Sequence, residues 1–216
     1  MEILDPRLDQ YLKGLLPGAD SVRAEMERLG AEQRFPIIGP LVGNLCGLLA
    51  RAIGARKVFE MGSGFGYSTL WFARAVGEGG TVVHTEGSEQ NSRLAREFLT
   101  KAGVADRVRF EVGDAREILD RAIATGGLLP LDIVFNDMDK EQYPDVLPRA
   151  RRALREGGLL ICDNMLWSGR VLDPSTADER TRGILELSRQ LAEAQDFATT
   201  LVPIRDGVTV SLKLPS

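Results

Sequence analysis

Short apolar runs alternate with amphipathic stretches through the middle of the chain. The runs are RKVFEMG, GTVVHTEG, RVRFEVGD, LDIVFND and GLLICDN, at residues 56–62, 80–87, 107–114, 131–137 and 158–164. Between them lie stretches with apolar residues at helical spacing, such as SEQNSRLAREFLTKAG after the second run. This alternation predicts repeated strand–helix–strand units, which form a parallel sheet covered by helices on both faces.

The two ends of the chain depart from this alternation. The first fifty residues predict helices, with Asp5-Pro6 as a helix start and Pro17-Gly18 as a break. Near the other end, FATTLVPIRDGVTVSLK holds two alternating runs around Asp206-Gly207, which indicates a β-hairpin. The predicted fold is therefore α/β, with a mostly parallel sheet and a C-terminal antiparallel hairpin, in a single domain over residues 1–216.

Composition narrows the class of protein. The 216 residues are 44% hydrophobic and 27% charged, which is typical of a soluble globular protein. A net charge of −4 gives no electrostatic reason to expect nucleic acid or an anionic membrane as a partner. No apolar run reaches the ~18–20 residues of a membrane-spanning helix. The acidic start MEILDPRLDQ indicates no secretory signal, and two scattered cysteines form no disulfide framework, so we expect a cytoplasmic protein.

Ligands of open parallel sheets bind beyond the carboxyl ends of the strands, and unusual residues follow the first three strands. EMGSGFGYS, residues 60–68, has three alternating glycines, which permit a tight turn and a close approach to a ligand. Glu86 ends the second strand, at a distance along the chain that suits contact with a ribose diol. Asp114 could cap the next helix or reach an adenine amino group. A plain turn, a solvated acid and a helix cap are the alternatives.

Acidic residues also follow the fourth and fifth strands. FNDMDKEQY places Asp137, Asp139 and Lys140 after the fourth, and CDNMLW places Asp163 and Asn164 after the fifth. In the common doubly wound order these strands are neighbours about 4.8 Å apart, so Asp137 would lie near Asp163 and Asn164. Two carboxylates and an amide oxygen suit Mg²⁺ or Ca²⁺ and suit zinc poorly. Solvated loop residues are the alternative interpretation.

Two further side chains are candidates for chemistry. A neutral lysine amine beside a bound cation can accept a proton, which makes Lys140 a candidate general base. A surface lysine is the alternative. Trp167 could offer an aromatic face to an acceptor or serve packing alone. His84 is the one histidine in the sequence, which argues against any mechanism that needs a histidine pair.

Two motifs make the chain resemble the cation-dependent O-methyltransferases, S-adenosylmethionine enzymes that include caffeoyl-coenzyme A and catechol O-methyltransferases. The family's V-D-A-D-K-x-x-Y motif is similar to residues 136–143, and its D-N-x-L-W-x-G motif is similar to residues 163–169. The resemblance runs from about Gly39 to the end and includes PIRDGV near residue 205. It implies a Rossmann-like methyltransferase sheet of seven strands, and many members of the family are homodimers.

The resemblance also implies residue roles. Asp137, Asp163 and Asn164 would bind Mg²⁺ or another divalent cation such as Ca²⁺ or Mn²⁺, with Lys140 as the general base. The residues implied to contact S-adenosylmethionine are Glu60, Gly62, Ser63, Ser68, Glu86, Asp114, Ala115 and Asp137. Three departures from the family pattern, Asn136, Met138 and Gly64, could alter the pocket. The predicted helical segment 1–38 matches weakly, although this segment helps to shape the acceptor site in the family.

The resulting hypothesis is methyl transfer from S-adenosylmethionine to a hydroxyl of a metal-chelated vicinal diphenol, of the catechol or caffeoyl type, with Trp167 at the acceptor pocket. The expected partners are this small phenolic acceptor and a second copy of the chain, without nucleic acid or membrane. One alternative is a catalytically degenerate S-adenosylmethionine-binding module, which the intact ligand set disfavours. The other is a nicotinamide-dependent oxidoreductase, disfavoured by the glycine spacing and by the lack of a Tyr-x-x-x-Lys pair in the sequence.

Overall fold

The structure, a computed structural model, describes residues 5–215. The α-helices are α1 Pro6–Gly14, α2 Ser21–Gln33, α3 Gly39–Ala52, α4 Tyr67–Val76, α5 Glu89–Lys101, α6 Ala115–Thr125, α7 Val146–Ala153 and α8 Glu179–Glu193. The strands are β1 Lys57–Met61, β2 Thr81–Glu86, β3 Val108–Val112, β4 Leu131–Asn136, β5 Leu154–Cys162, β6 Phe197–Val202 and β7 Val208–Lys213. The described range leaves out residues 1–4 and 216 of the predicted domain. The start of the predicted segment 1–38 therefore lies outside it.

A seven-stranded sheet organises the described residues. Its strand order is β3-β2-β1-β4-β5-β7-β6. Strands β1 to β5 pair in parallel, whereas β7 pairs antiparallel with both β5 and β6. The predicted α/β fold and its C-terminal hairpin are therefore confirmed. β1 pairs with β2 on one side and with β4 on the other, so the strand order reverses between β1 and β4. Sheets of this kind bind ligands at the carboxyl ends of the two strands where the order reverses.

The fifth strand begins earlier than its apolar run predicts. We expected a strand over residues 158–164 after a helix-like stretch, but β5 begins at Leu154 and ends at Cys162. The Arg155 guanidinium pairs with Asp132 at 2.6 Å, and Leu154 pairs with Leu131, so the polar start of β5 is held beside β4. Asp163 consequently lies just beyond the strand end, in the loop that follows.

The core lies on both faces of the sheet. Alternate strand residues point to opposite faces, and Val58 and Phe59 of β1 accordingly belong to different buried clusters. One cluster is shared with α3 and α4, where the Phe72 and Phe135 rings lie 5.4 Å apart. The other is shared with α6, α7 and α8. Among residues 5–215, none of the helices combines the length and the apolar character that crossing a membrane requires.

Candidate active site

A cavity of about 530 Å³ lies at the carboxyl ends of the parallel strands, in the size range of small-molecule sites. Most of the residues that the sequence singles out line it: Gly62, Ser63, Ser68, Glu86, Asp114, Ala115, Asp137, Lys140, Asn164 and Trp167. Glu60 and Asp163 do not, because both are fully buried behind its wall. The structure thus gathers the residues from five strand ends around one cavity, with two carboxylates beneath its surface.

The glycine loop after β1 needs its glycines for two separate reasons. Gly62, Gly64 and Gly66 all have positive φ angles, of 83°, 52° and 86°, which favour glycine over other residues. In addition, a Cβ at Gly62 would lie 2.7 Å from the carbonyl oxygen of Asp137, and one at Gly64 would lie 2.8 Å from the Phe35 ring. The loop therefore packs against both the end of β4 and the N-terminal segment before it enters α4.

The N-terminal segment contributes directly to the cavity. Phe35 and Ile38, which precede α3, line it together with Met138 from the loop after β4. The Phe35 ring lies 4.9 Å from the ring of Phe65 in the glycine loop. The N-terminal segment and the glycine loop therefore form the same wall of the cavity. The part of the chain that matches the family weakly thus contacts the region predicted to bind the methyl donor.

The acids after β2 and β3 are held by nearby donors. Glu86 accepts hydrogen bonds from Gly64 N–H at 2.8 Å and from Ser88 N–H at 2.9 Å. Asp114 accepts from Arg116 N–H at 2.8 Å and thereby caps α6, the first of the two roles considered for it. The side-chain hydrogen bond from Arg116 lowers the pKa of Asp114 to about 2. Both carboxylates are thus pre-oriented at the cavity, and the adenine contact of Asp114 stays a prediction.

Glu60 supports the glycine loop from below. Its carboxylate accepts a hydrogen bond from the Thr69 hydroxyl at 2.5 Å, and the Ser63 hydroxyl lies at 3.4 Å. Burial raises the pKa of Glu60 to about 7, against the lowering effect of the neighbouring hydroxyl groups. Thr69 also contacts His84 Nδ1 at 3.1 Å, so the lone histidine belongs to this buried network.

The two strand-end aspartates lie side by side, as the predicted strand order requires. Asp163 N–H donates to the carbonyl oxygen of Asn136, the residue before Asp137, at 3.1 Å. Burial, followed by the nearby Asp137 carboxylate, raises the pKa of Asp163 to about 7. Burial also raises the pKa of Asp137, and the opposing influence of Lys140 is smaller. These shifts reflect two acids brought close together away from water.

Each aspartate has a basic partner. Lys140 Nζ donates to Asp137 Oδ1 at 2.8 Å, to the Met138 carbonyl at 3.1 Å and to the Tyr143 hydroxyl at 2.9 Å, which places all three donors of an ammonium group. The Tyr143 hydroxyl in turn donates to the Asp163 carbonyl at 2.8 Å. Arg205 Nη1 lies 3.1 Å from Asp163 Oδ2. Sequence reasoning missed Tyr143 and Arg205, although both lie inside motifs that carried the resemblance.

The donor chemistry fits a hard divalent cation. Asp163 Oδ1 is buried without a partner in hydrogen-bond geometry among the described residues. Asp137 and Asn164 line the cavity next to it, so carboxylate and amide oxygens are available together. Within residues 5–215, no three His, Cys, Asp or Glu side chains are grouped to hold a metal ion. The predicted set includes only two carboxylates and relies on the amide of Asn164 as its third protein ligand.

The fold and the site together define a class of protein. The mostly parallel sheet carries a glycine loop after β1, an acid after β2 and a cavity where the strand order changes, which are the features of α/β proteins that bind nucleotide cofactors. Within that class the comparison with protein families is specific. Residues 23–214 match the family model described as O-methyltransferase. The chain belongs to the O-methyltransferase family.

Individual relatives agree with this membership. A catechol O-methyltransferase of Niastella koreensis is 30% identical over 186 residues, which are 85% of this chain and 84% of that protein. Caffeoyl-CoA O-methyltransferase 1 of Eucalyptus globulus is 32% identical over 178 residues, 80% of this chain and 72% of that protein. The crystal structure of a Streptomyces achromogenes O-methyltransferase in complex with S-adenosylmethionine superposes with a TM-score of 0.89 at 30% identity, covering 97% and 96% of the two chains.

The buried carboxyl of Glu60 predicts a specific pH dependence of stability. Its pKa is about 7 in the folded protein against 4.5 for an ordinary glutamate, so its contribution is complete below pH 4.5 and is lost as pH rises through 7. Glutamine does not titrate, so we expect Glu60→Gln to remove this loss. The decrease in unfolding free energy between pH 5 and pH 8 should then be smaller than in the wild type by roughly 1–3 kcal/mol. Urea denaturation across this range measures it. Exposed Glu78→Gln should follow the wild type, and a Glu60→Gln curve parallel to both would contradict the prediction.

The contact between Gly183 and Lys140 predicts a second effect. Gly183 of α8 lies so close to the Lys140 backbone that a Cβ would overlap the lysine carbonyl oxygen and lie 3.1 Å from Glu141 Cα. We expect Gly183→Ala to displace the Lys140 segment and to lower the unfolding free energy by about 1–3 kcal/mol. Gly30→Ala in α2 is the matched control, because its Cβ would meet only ordinary contacts with the Ile37 side chain. Denaturation curves compare the two variants, and equal stabilities would show that α8 can move away.

Proposed function

We propose that the protein transfers a methyl group from S-adenosylmethionine to one hydroxyl of a vicinal diphenol, with help from a divalent cation and with Lys140 as the general base. The observation that carries the proposal is that Asp137 and Lys140 lie at the same cavity as the glycine loop and Glu86, with Asp163 buried directly behind its wall. Membership in the O-methyltransferase family supports the reaction type and disfavours the oxidoreductase alternative.

The donor half of the proposal uses the ends of β1, β2 and β3. The glycine loop leaves room for the donor's methionine part at the start of α4, and Glu86 is oriented for the ribose hydroxyls. Asp114 and Ala115 border the region in which an adenine would lie. The Streptomyces relative solved with S-adenosylmethionine supports this choice of donor.

The acceptor half uses the ends of β4 and β5. A divalent cation held by Asp137, Asp163 and Asn164 would supply Lewis-acid activation and orientation of the two acceptor oxygens. Lys140, as a neutral amine beside the bound cation, would receive the acceptor's proton at Nζ, where Tyr143 and the Met138 carbonyl keep the side chain in position. Trp167 and the segment around Phe35 would wall the acceptor region. Relatives named as catechol and caffeoyl-CoA O-methyltransferases support the vicinal diphenol class.

The base assignment predicts a loss of rate without a loss of donor binding. Lys140→Met should lower the maximal rate of methylation of catechol or caffeate by about 10²–10⁴-fold, because proton transfer loses its acceptor. Product mass and calorimetric titration of S-adenosylmethionine measure the two quantities. Lys101→Met, at an exposed lysine of α5 that is 56% accessible, is the control and should leave both unchanged.

The same assay separates the parts of the proposal. Excess EDTA should abolish turnover and leave donor binding intact, whereas full activity in EDTA would remove the cation from the mechanism. An unaltered pH–rate profile in Lys140→Met would remove the lysine from its role. Donor binding without methyl transfer to any diphenol in a broad panel would favour the degenerate binding module instead.

The proposal includes a homodimer. Four large apolar side chains in and near α1 and α3 are more than half exposed: Leu8, Tyr11, Leu15 and Leu48. Because such side chains gain stability when they leave water, a second copy packed over them would account for their exposure. Sedimentation equilibrium should show a dimer that Leu8→Ser with Tyr11→Ser weakens by about tenfold or more. A wild-type monomer at micromolar concentration would contradict this part.

A further inference from the structure

Arg205 occupies an unusual backbone position beside the proposed cation ligands. It lies in the turn between β6 and β7 with a φ of 51°, in the left-handed region that favours glycine. Its side chain lines the cavity and passes next to Gly39, where an added Cβ would lie 3.9 Å from Arg205 Cδ and Nε. An arginine held in such a conformation indicates that its position is determined by contacts elsewhere in the turn.

Those contacts join the turn to the loop after β5. The backbone carbonyl oxygen of Asp206 accepts a hydrogen bond from Leu166 N–H at 2.8 Å, and its carboxylate Oδ1 accepts one from Ser168 N–H at 2.5 Å. Its second carboxylate oxygen lies 3.4 Å from the amide nitrogen of Asn164. Gly207 accepts from Met165 N–H at 2.9 Å. The turn and the loop that carries Asp163 and Asn164 therefore form one unit, which holds Arg205 over the carboxylate of Asp163.

The guanidinium occupies one side of the carboxylate that the cation would need. Arg205 Nη1 lies 3.1 Å from Asp163 Oδ2, and the Asp163 side chain has no exposed surface, whereas that of Arg205 is 35% exposed. Lys140 already pairs with Asp137, whose side chain is 23% exposed, so the buried Asp163 and the partly buried Asp137 face two positive charges. A dication bound to Asp163 would lie within a few ångströms of the guanidinium, where like charges repel strongly in a water-poor site.

We propose that Arg205 is an internal counter-cation that competes with the divalent cation for Asp163 and so sets the cation affinity of the enzyme. This inference rests on the proposed cation site. Without a dication, the guanidinium neutralises a buried carboxylate that would otherwise be unpaired. With one, charge repulsion would drive the arginine away from Oδ2 and toward the cavity, which its partial exposure permits. Breaking this ion pair opposes binding, so the wild type holds the cation weakly.

Removal of the guanidinium provides the test. Arg205→Gly suits the left-handed backbone, and Arg205→Asn keeps a polar residue that tolerates it. We expect both variants to bind Mn²⁺ at least about tenfold more tightly than the wild type, since the competing charge is gone. Electron paramagnetic resonance of free Mn²⁺, without donor or acceptor, measures Kd directly. Melting curves verify that each variant is folded.

Two controls make the result specific. Arg180→Ala removes another arginine that lines the cavity but pairs with Glu141, at 3.5 Å, instead of Asp163. It should change Kd by less than about threefold, as expected for a charge without direct contact. Asp163→Asn should abolish Mn²⁺ binding in both the wild type and Arg205→Gly, which locates the ion.

The outcomes separate this inference from the proposed function. Tighter binding in Arg205→Gly and Arg205→Asn, abolished by Asp163→Asn, supports the competition. Equal or weaker binding in the Arg205 variants, still dependent on Asp163, overturns it and leaves the cation site in place. An effect of Arg180→Ala as large as that of Arg205→Gly would also overturn it, because general cavity charge would then be the cause. Absence of Mn²⁺ binding in every variant would overturn the cation site itself.

Discussion

The pairing of two strand-end carboxylates, one buried and one partly buried, with two basic side chains is the interaction on which this structure depends. Asp137 and Asp163 lie at the ends of adjacent parallel strands, where burial and mutual repulsion disfavour their charged forms. Lys140 and Arg205 supply the compensating charges. The charges of such a site are balanced before any ligand arrives, and in the proposed function an external cation would replace one of these internal charges. The proposed chemistry is an extension of that exchange.

The surrounding elements hold this charge cluster in place through close backbone contacts. Gly62 allows the loop after β1 to lie against Asp137, and Gly183 allows α8 to lie against Lys140. The Tyr143 hydroxyl links the amine of Lys140 to the backbone at Asp163. Each contact joins segments that are distant in sequence. The absence of a side chain at the two glycines is therefore as important to the geometry as the charged groups themselves.

The two glutamates near the predicted donor region, Glu60 and Glu86, have different structural roles. Glu60 is buried beneath the glycine loop, and its pKa of about 7 reflects the loss of water around it. Glu86, at the cavity wall, accepts two backbone N–H groups and keeps its position through them. One acid thus supports the loop from within, while the other presents oxygens to the cavity. The resemblance implied that Glu60 contacts S-adenosylmethionine, whereas the structure places this residue behind the cavity wall.

Sequence alone indicated the α/β class, the hairpin and the edge of the sheet at which the cavity lies, because apolar periodicity and glycine positions are local signals. Its motifs also identified the O-methyltransferase family. Only the tertiary structure decided the early start of β5 and the burial of Glu60 behind the cavity wall. It alone joined Arg205 to Asp163, 42 residues apart. Such a contact depends on how the β6–β7 turn packs on the loop after β5, and periodicity along one segment carries no information about the packing of two.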